Sequence, residues 1–220
     1  MLDCITLEPD SPATACVIWM HGLGADGNDF VPIVPELNLP TGHGVRFVFP
    51  NAPTMPVTIN GGYVMRAWYD IVSAELDKRA DEGGVRRSQA LIEELIADQR
   101  SKGIAADRIL LAGFSQGGVI ALQTGLRHPE KLAGIMALST YLACADSLGV
   151  EASAANRQIP LFMVHGSMDP VIPVALAKLS KARLETHGYK VEWHEYGMPH
   201  SVCAEEIDDI AAFLKRVLAL

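Results

Sequence analysis

Short, continuously apolar runs recur along the chain, and stretches with helical periodicity separate them. Runs of this length without polar alternation are typical of strands buried on both faces of a parallel sheet. Residues 191–196 alternate more strongly, which indicates an edge strand. The continuous runs are residues 15–20, 45–50, 108–112, 132–138 and 161–164.

Helical spacing occupies most of the intervals between these runs. Residues 85–102 carry Leu91, Ile92, Leu95 and Ile96 on one face, and residues 118–126 are typical of a buried helix. Further helices are predicted from about 173 to 186 and over the last apolar-periodic stretch, and positions 30, 33, 34 and 37 have the spacing of another. Alternating strands and helices predict an α/β fold with a mostly parallel central sheet covered by helices on both faces.

The same pattern predicts one domain over residues 1–220. No internal repeat or low-complexity linker interrupts the chain, and residues 141–158 are too few for a large cap domain. Residues 52–69 are expected to be loop-like, and the pair Trp68-Tyr69 suggests the wall of a pocket. A surface loop pinned by its aromatic side chains explains that pair equally well. The mixed-charge run 75–82 is expected to be a solvated segment.

Composition narrows the class of protein. Hydrophobic residues make up 49% of the 220 residues, and the net charge is −8, which argues against nucleic-acid binding and against docking on anionic membranes. No apolar run is long enough for stable membrane insertion, and no signal peptide is visible. The four scattered cysteines favour a reducing compartment over a disulfide framework or a zinc site. We therefore expect a cytoplasmic protein.

The sequence Gly-Phe-Ser-Gln-Gly at residues 113–117 lies between a predicted strand and a predicted helix. In this context Gly-x-Ser-x-Gly indicates the nucleophile elbow of α/β-hydrolases, a turn so sharp that the flanking glycines must lack Cβ. The turn holds the Ser115 hydroxyl at the carboxyl end of the strand. The amide of Gln116, in the first turn of the helix, points to the same place.

A second glycine-rich loop follows the strand 15–20. The segment His-Gly-Leu-Gly-Ala-Asp-Gly at 21–27 lies at the edge where an α/β sheet keeps its ligands. It can supply the Leu23 amide as a second oxyanion donor beside Gln116. An ordinary strand-to-helix turn is the alternative.

Ser115, Asp169 and His200 occur in this order along the chain, each in a loop after a predicted strand, which is the order found in α/β-hydrolases. His21 and His165 also follow strands, but a glycine comes directly after each, so we assign them to shaping turns. Asp70 and Asp146 could compete with Asp169.

In these residues the chain resembles the carboxylesterase/acyl-protein thioesterase family, and especially its small bacterial carboxylesterases. The likeness extends over nearly the whole chain. It implies Ser115 as nucleophile, His200 as base, Asp169 as the residue that orients it, and the Leu23 and Gln116 amides as oxyanion hole. Residues 71–80 match nothing in the family pattern. The likeness rests on segments 21–27, 68–70, 81–85, 113–118 and 165–170 and on the pair 199–200.

The resemblance and the triad order together predict a serine carboxylesterase that hydrolyses short- to medium-chain esters without a metal or cofactor. The alternative is an acyl-protein thioesterase or lysophospholipase for longer acyl chains, and a catalytically silent binding module is the third hypothesis. Leu23, Trp68, Tyr69 and the apolar stretch 53–59 are the expected acyl-facing residues. The expected partner is an ester or thioester substrate, acylated protein included, bound by a monomer or a weak homodimer.

Overall fold

The computed structural model describes residues 2–73 and 81–220, and every structural statement below refers to that part of the chain. The strands are β1 Cys4–Leu7, β2 Ala15–Met20, β3 Val45–Pro50, β4 Thr54–Val57, β5 Tyr63–Arg66, β6 Ile109–Phe114, β7 Gly134–Leu138, β8 Leu161–Gly166 and β9 Val191–Tyr196. The α-helices are α1 Ile33–Glu36, α2 Glu82–Ser101, α3 Gln116–Arg127, α4 Leu148–Glu151, α5 Val174–Thr186 and α6 Ala204–Val217.

Seven of these strands form one sheet in the order β1-β3-β2-β6-β7-β8-β9. All neighbours pair in parallel except β1, which runs antiparallel to β3. The predicted parallel sheet and the edge position of β9 are therefore confirmed. Because parallel strands end at one side of a sheet, the loops after β2, β6, β8 and β9 meet at the same edge.

Each central strand contributes side chains to two separate hydrophobic cores, one on each face of the sheet. In β2, Cys16 and Ile18 join the core formed with α2, α3 and α5, whereas Val17 and Trp19 join the core formed with α6 and the α1 segment. Both faces are apolar because side chains alternate along a strand. This double coverage explains why β2 reads as a continuous hydrophobic run and confirms the fold predicted from it.

The structure corrects two local predictions. Residues 52–69 are not a plain loop, since β4 and β5 pair as an antiparallel hairpin around the turn Thr58–Asn60. The strand pattern was hard to recognise because both strands are largely exposed and because Pro56 is typical of edge strands only. The helix suggested after β2 is only the single turn α1, since Pro32 and Pro35 have no amide hydrogen to extend it. Strand β1 was not predicted.

The predicted solvated segment 75–82 lies mostly outside the described residues, as does most of the unmatched stretch 71–80. Its last two residues have defined roles. The Asp81 carboxylate caps α2 by accepting the Gly84 amide at 2.8 Å, and Glu82 is the first residue of that helix. In the part of the chain that the structure describes, no helix is both long and apolar enough to cross a membrane.

Candidate active site

Ser115 occupies a strained turn between β6 and α3. Its backbone has φ 55° and ψ −119°, a left-handed conformation that L-residues rarely adopt, at a cost of about 1–3 kcal/mol. The turn is also crowded, because a Cβ added to Gly117 would lie 2.2 Å from the Met20 carbonyl oxygen. Only glycine fits there, so the pattern read from the sequence is a requirement of this geometry.

Neighbouring strand β7 holds the strained turn in place from its carboxyl end. The Ser115 amide donates to the Leu138 carbonyl at 2.9 Å, and the Thr140 hydroxyl donates to the Ser115 carbonyl at 2.7 Å. That carbonyl belongs to the same planar peptide group as the Gln116 amide. Thr140 therefore helps to fix the direction in which the Gln116 N–H points. The sequence analysis did not single out Thr140. The only indication in the sequence was its position just after β7, the strand that neighbours β6.

Asp169 and His200 form a close pair in the loops after β8 and β9. The His200 Nδ1 lies 2.6 Å from Asp169 Oδ2, and the Asp169 side chain is completely buried. Asp169 Oδ1 accepts the amides of Val171 and Ile172 at 2.8 and 2.9 Å. With Oδ1 held by two amides, Oδ2 is the oxygen to which His200 Nδ1 can donate, and Nε2 is the ring nitrogen that is not bonded to Asp169.

The two loops approach each other closely enough to bring Asp169 to His200. A Cβ on Gly166 would lie 2.3 Å from the Met198 carbonyl oxygen, so only glycine allows this approach. The Ser167 amide also donates to the Tyr196 carbonyl at 2.8 Å. On the other side, the His200 ring lies 4.7 Å, centroid to centroid, from the ring of Phe114, the residue before Ser115.

The competing residues have other partners. His165 is fully buried, which lowers its pKa; its Nε2 lies 2.8 Å from the Ile172 carbonyl and 3.4 Å from the Asp169 carboxylate. It therefore shapes the turn that carries Asp169. The Asp70 carboxylate accepts the Thr58 amide at 2.7 Å within the hairpin loop. Asp146 lines a separate cleft with Arg183 and His187.

Trp68 does not face a pocket, which corrects the prediction that it contacts the acyl chain. Its side chain is 0% exposed, and its indole N–H donates to the His21 carbonyl at 2.9 Å. His21 in turn accepts the Ala52 amide through Nε2 at 3.0 Å, and burial lowers its pKa. Trp68 and His21 thus fasten the segment after β5 to the end of β2, underneath the site.

The Gln116 side chain joins the elbow to this same segment. Its Oε1 accepts the Trp68 amide at 3.1 Å and its Nε2 donates to the Tyr69 carbonyl at 2.9 Å. Gln116 is the first residue of α3, so its own backbone N–H has no acceptor within the helix. The backbone of this residue is available to a ligand, while its side chain is fully engaged in structure.

An apolar cavity of about 280 Å³ opens beside Ser115. Of the residues expected to face the acyl chain, Leu23 and Tyr69 line it and Trp68 does not; Gln116 lines it as well. The Leu23 amide donates to no acceptor among the described residues, whereas the next amide, of Gly24, donates to the Arg66 carbonyl at 2.9 Å. Ile59, the last residue of the expected acyl-facing stretch 53–59, also lines it. The sequence analysis missed further lining residues, which come from the hairpin turn and the strand-end loops: Asn60, Ile71, Tyr141, Val171 and Ile172.

Metal-binding side chains are not gathered at this edge in the part of the chain that the structure describes. Among residues 2–73 and 81–220, no three His, Cys, Asp or Glu residues are close enough to hold a metal ion together. Cofactor-free chemistry stays a prediction.

Comparison with known proteins identifies the family. The model of the phospholipase/carboxylesterase family matches residues 3–218. The chain belongs to this family of hydrolases. It is 42% identical over 214 residues to the acyl-protein thioesterase 1 of Neurospora crassa, an alignment that covers 93% of this chain and 87% of the relative. The family resemblance seen in the sequence is thereby confirmed, and the relative's name agrees with the thioesterase alternative better than with a short-chain carboxylesterase.

Solved structures support the same fold. Arabidopsis thaliana SOBER1 superposes with a TM-score of 0.87 at 27% identity, covering 93% of this chain and 99% of the other. Zea mays acyl-protein thioesterase 2 gives a TM-score of 0.84 at 26% identity, covering 99% of this chain and all of the other. The α/β-hydrolase architecture expected from the elbow motif is confirmed.

Proposed function

We propose that this protein is a serine hydrolase that removes acyl groups from thioesters, acylated cysteines of proteins included, through an acyl-enzyme on Ser115. The observation that carries the proposal is the apolar cavity lined together by Ser115, Leu23 and Gln116. Asp169 and His200 form their hydrogen-bonded pair in the loops at the same edge of the sheet. Kinship with acyl-protein thioesterase 1 supports the thioester as the substrate class.

The residues of the site have distinct roles in this reaction. His200 Nε2 takes the proton from the Ser115 hydroxyl as its oxygen attacks the acyl carbonyl, and Asp169 holds the imidazole in the tautomer that can accept it. The amides of Leu23 and Gln116 donate to the oxyanion that forms. His200 then gives its proton to the departing sulfur or oxygen. In the second half, the same base activates a water molecule that releases the acid.

The cavity receives the acyl chain in this proposal. Its walls are the side chains of Leu23, Tyr69 and Ile71 together with those of the Asp169 loop. An apolar wall contributes about 0.8 kcal/mol per buried methylene, which is roughly fourfold in affinity. Catalytic efficiency should therefore rise with chain length while the cavity fills and then level off in the medium-chain range.

Labelling with a fluorophosphonate tests the nucleophile. The probe should modify Ser115, and Ser115→Ala should lose labelling and reduce turnover to the residual level, about 10³–10⁴ over water, that binding and the oxyanion hole provide. Ser167→Ala is the matched control, because Ser167 is an exposed serine after β8 and its removal should change neither readout. Modification of Ser167 or Ser139 in place of Ser115 would overturn the assignment.

Paired substrates test the leaving group. Thioesters and oxygen esters with the same acyl chain, from acetyl to palmitoyl, are compared by kcat/KM. We expect the thioester to react faster at each length, because a thiol with a pKa near 8.5 leaves more easily than an alcohol. Oxygen esters reacting faster at every length would instead favour the carboxylesterase, the function that the sequence predicted first and that the modest size of the cavity also fits.

A further inference from the structure

A second cleft, of about 260 Å³, is lined by His200, which does not line the apolar cavity. Phe30, Ile33 and Phe114 form its apolar wall, and Asp29, His200 and Ser201 contribute the polar one. The two clefts share no residue, and Phe114 and His200, whose rings are in contact, both line the second one. Ser115 thus lies on one cleft and His200 on the other.

The proposed reaction decides which part of the substrate enters each cleft. The Leu23 and Gln116 residues line the apolar cavity together with Ser115, so the acyl carbonyl and its chain belong there. The leaving group must reach the imidazole that returns the proton to it, because Nδ1 of His200 is occupied by Asp169 at 2.6 Å. The second cleft is lined by His200, so the alcohol or thiol half of the substrate is assigned to it.

Charge within the second cleft is one-sided. Asp29 is the only carboxylate among its described lining residues, and neither a lysine nor an arginine lines it. The Asp29 side chain accepts no hydrogen bond and forms no ion pair within the described residues, and desolvation raises its pKa above the ordinary value. Beside it the rings of Phe30 and Phe114 lie 5.7 Å apart. A free carboxylate next to aromatic rings favours a cation.

We propose that this cleft is the leaving-group subsite and that Asp29 selects leaving groups that carry a positive charge close to the ester or thioester bond. The natural form of such a group is an acylated cysteine flanked by lysine or arginine. This inference rests on the proposed serine-hydrolase function, since it takes the position of the leaving group from it.

The test uses three short peptides with the same decanoyl thioester on a central cysteine, flanked by lysine, by glutamine or by glutamate. The wild type should hydrolyse the lysine peptide with a kcat/KM about two- to fivefold above that of the glutamine peptide, the range expected for a solvent-accessible charge pair. In Asp29→Asn this advantage should vanish, and in Asp29→Lys the glutamate peptide should become the better substrate.

A matched variant distinguishes the effect of the Asp29 charge from the effect of the protein's overall net charge of −8. Asp107 is exposed and lies just before β6, at the opposite edge of the sheet, so Asp107→Asn removes the same charge at a distance. It should keep the lysine advantage. An advantage that persists in Asp29→Asn, or that falls equally in both variants, overturns the inference while leaving the hydrolase proposal intact. Failure of the wild type to cleave any of the three peptides would instead refute both.

Discussion

The candidate site combines two regions that are built differently. The first is the sheet edge, the loops after β6, β8 and β9 that carry Ser115, Asp169 and His200. The second is the hairpin wall, residues 54–73, which stands outside the sheet and lines the cavity with Ile59, Tyr69 and Ile71. At the sheet edge, backbone hydrogen bonds and close approaches at glycines set each position. The hairpin wall is joined to it through the side chains of Gln116, Trp68 and Tyr69 and through one backbone hydrogen bond, from the Gly24 amide to the Arg66 carbonyl.

Because the two regions are held differently, we expect the sheet edge to determine the rate of the reaction and the hairpin wall to determine which acyl chains are preferred. A backbone held by the sheet resists small changes in side chains, because its hydrogen bonds belong to the ladder. A wall held by a few side chains can shift when one of them is removed. Changes at the sheet edge should therefore lower turnover for every substrate, and changes at the hairpin wall should alter the dependence on the acyl chain.

The largest effect is expected at the Asp169–His200 pair. Asp169→Asn should reduce kcat by about 10⁴, because the amide imposes the wrong tautomer on the imidazole. His200→Ala should cost several powers of ten as well. His165→Ala should lower the yield of folded protein and cost far less turnover, since His165 supports the turn through the Ile172 carbonyl. If the losses for the two histidines were interchanged, the assignment of the base would be wrong.

A buried carboxyl behind the His200 loop should dominate the pH dependence of stability. Glu206 is 0% exposed, neither of its carboxyl oxygens has a hydrogen-bond partner within the described residues, and burial raises its pKa from 4.5 to about 8. The unfolded chain therefore releases this proton at lower pH than the folded one. The stability associated with Glu206 is complete below about pH 4.5 and is lost progressively as the pH rises to about 8.

Glu206→Gln should remove this loss, because the amide is neutral at every pH. Urea unfolding at pH 8 should give the variant a free energy of unfolding a few kcal/mol above the wild type, with a smaller difference at pH 5. Glu205→Gln is the control, since it removes a neighbouring but exposed carboxylate. A pH slope unchanged in Glu206→Gln would show that this group does not control it.

The contact between Thr140 and the Ser115 carbonyl offers a finer test of the sheet edge. Thr140→Val removes the hydroxyl and keeps the shape that packs against Gly118. We expect kcat to fall about tenfold for all acyl lengths with little change in KM, less than the 10²–10³ typical of deleting an oxyanion donor. Thr140→Ser should restore the rate.

Thr124→Val is the matched control for Thr140, because Thr124 is equally buried and its hydroxyl has no hydrogen-bond partner within the described residues. It should leave kcat unchanged. A loss confined to long-chain substrates in Thr140→Val would assign Thr140 to the wall of the cavity and so contradict the division between the two regions.

The smallest effect is expected at the Gln116 side chain. Gln116→Ala keeps the backbone amide but releases the Trp68 amide and the Tyr69 carbonyl, so the rate on acetyl esters should change little. The gain of roughly fourfold per methylene should become smaller, because Tyr69 is held less firmly. Leu23→Pro, which removes an amide hydrogen, should instead lower all rates by 10² or more. Equal losses in the two variants at every length would contradict this separation.

Local patterns in the sequence were sufficient for the sheet edge. The spacing of Gly113 and Gly117 around Ser115 predicts the elbow because the close approach of Gly113 to the Gly117 backbone is a constraint within a few residues. The apolar runs predicted the parallel strands since each is buried on both faces. Once the strands are parallel, chain order alone places the loops of Asp169 and His200 at the same edge.

Only the tertiary structure decided the hairpin wall and the orientation of its side chains. The sequence predicted Trp68 and Tyr69 as one aromatic pair, yet Trp68 turns into the core toward the His21 carbonyl while Tyr69 lines the cavity. The same holds for Gln116, whose side-chain partners lie 47 and 48 residues away. Such choices depend on which partner from a distant segment satisfies a buried polar group, and no local periodicity records that.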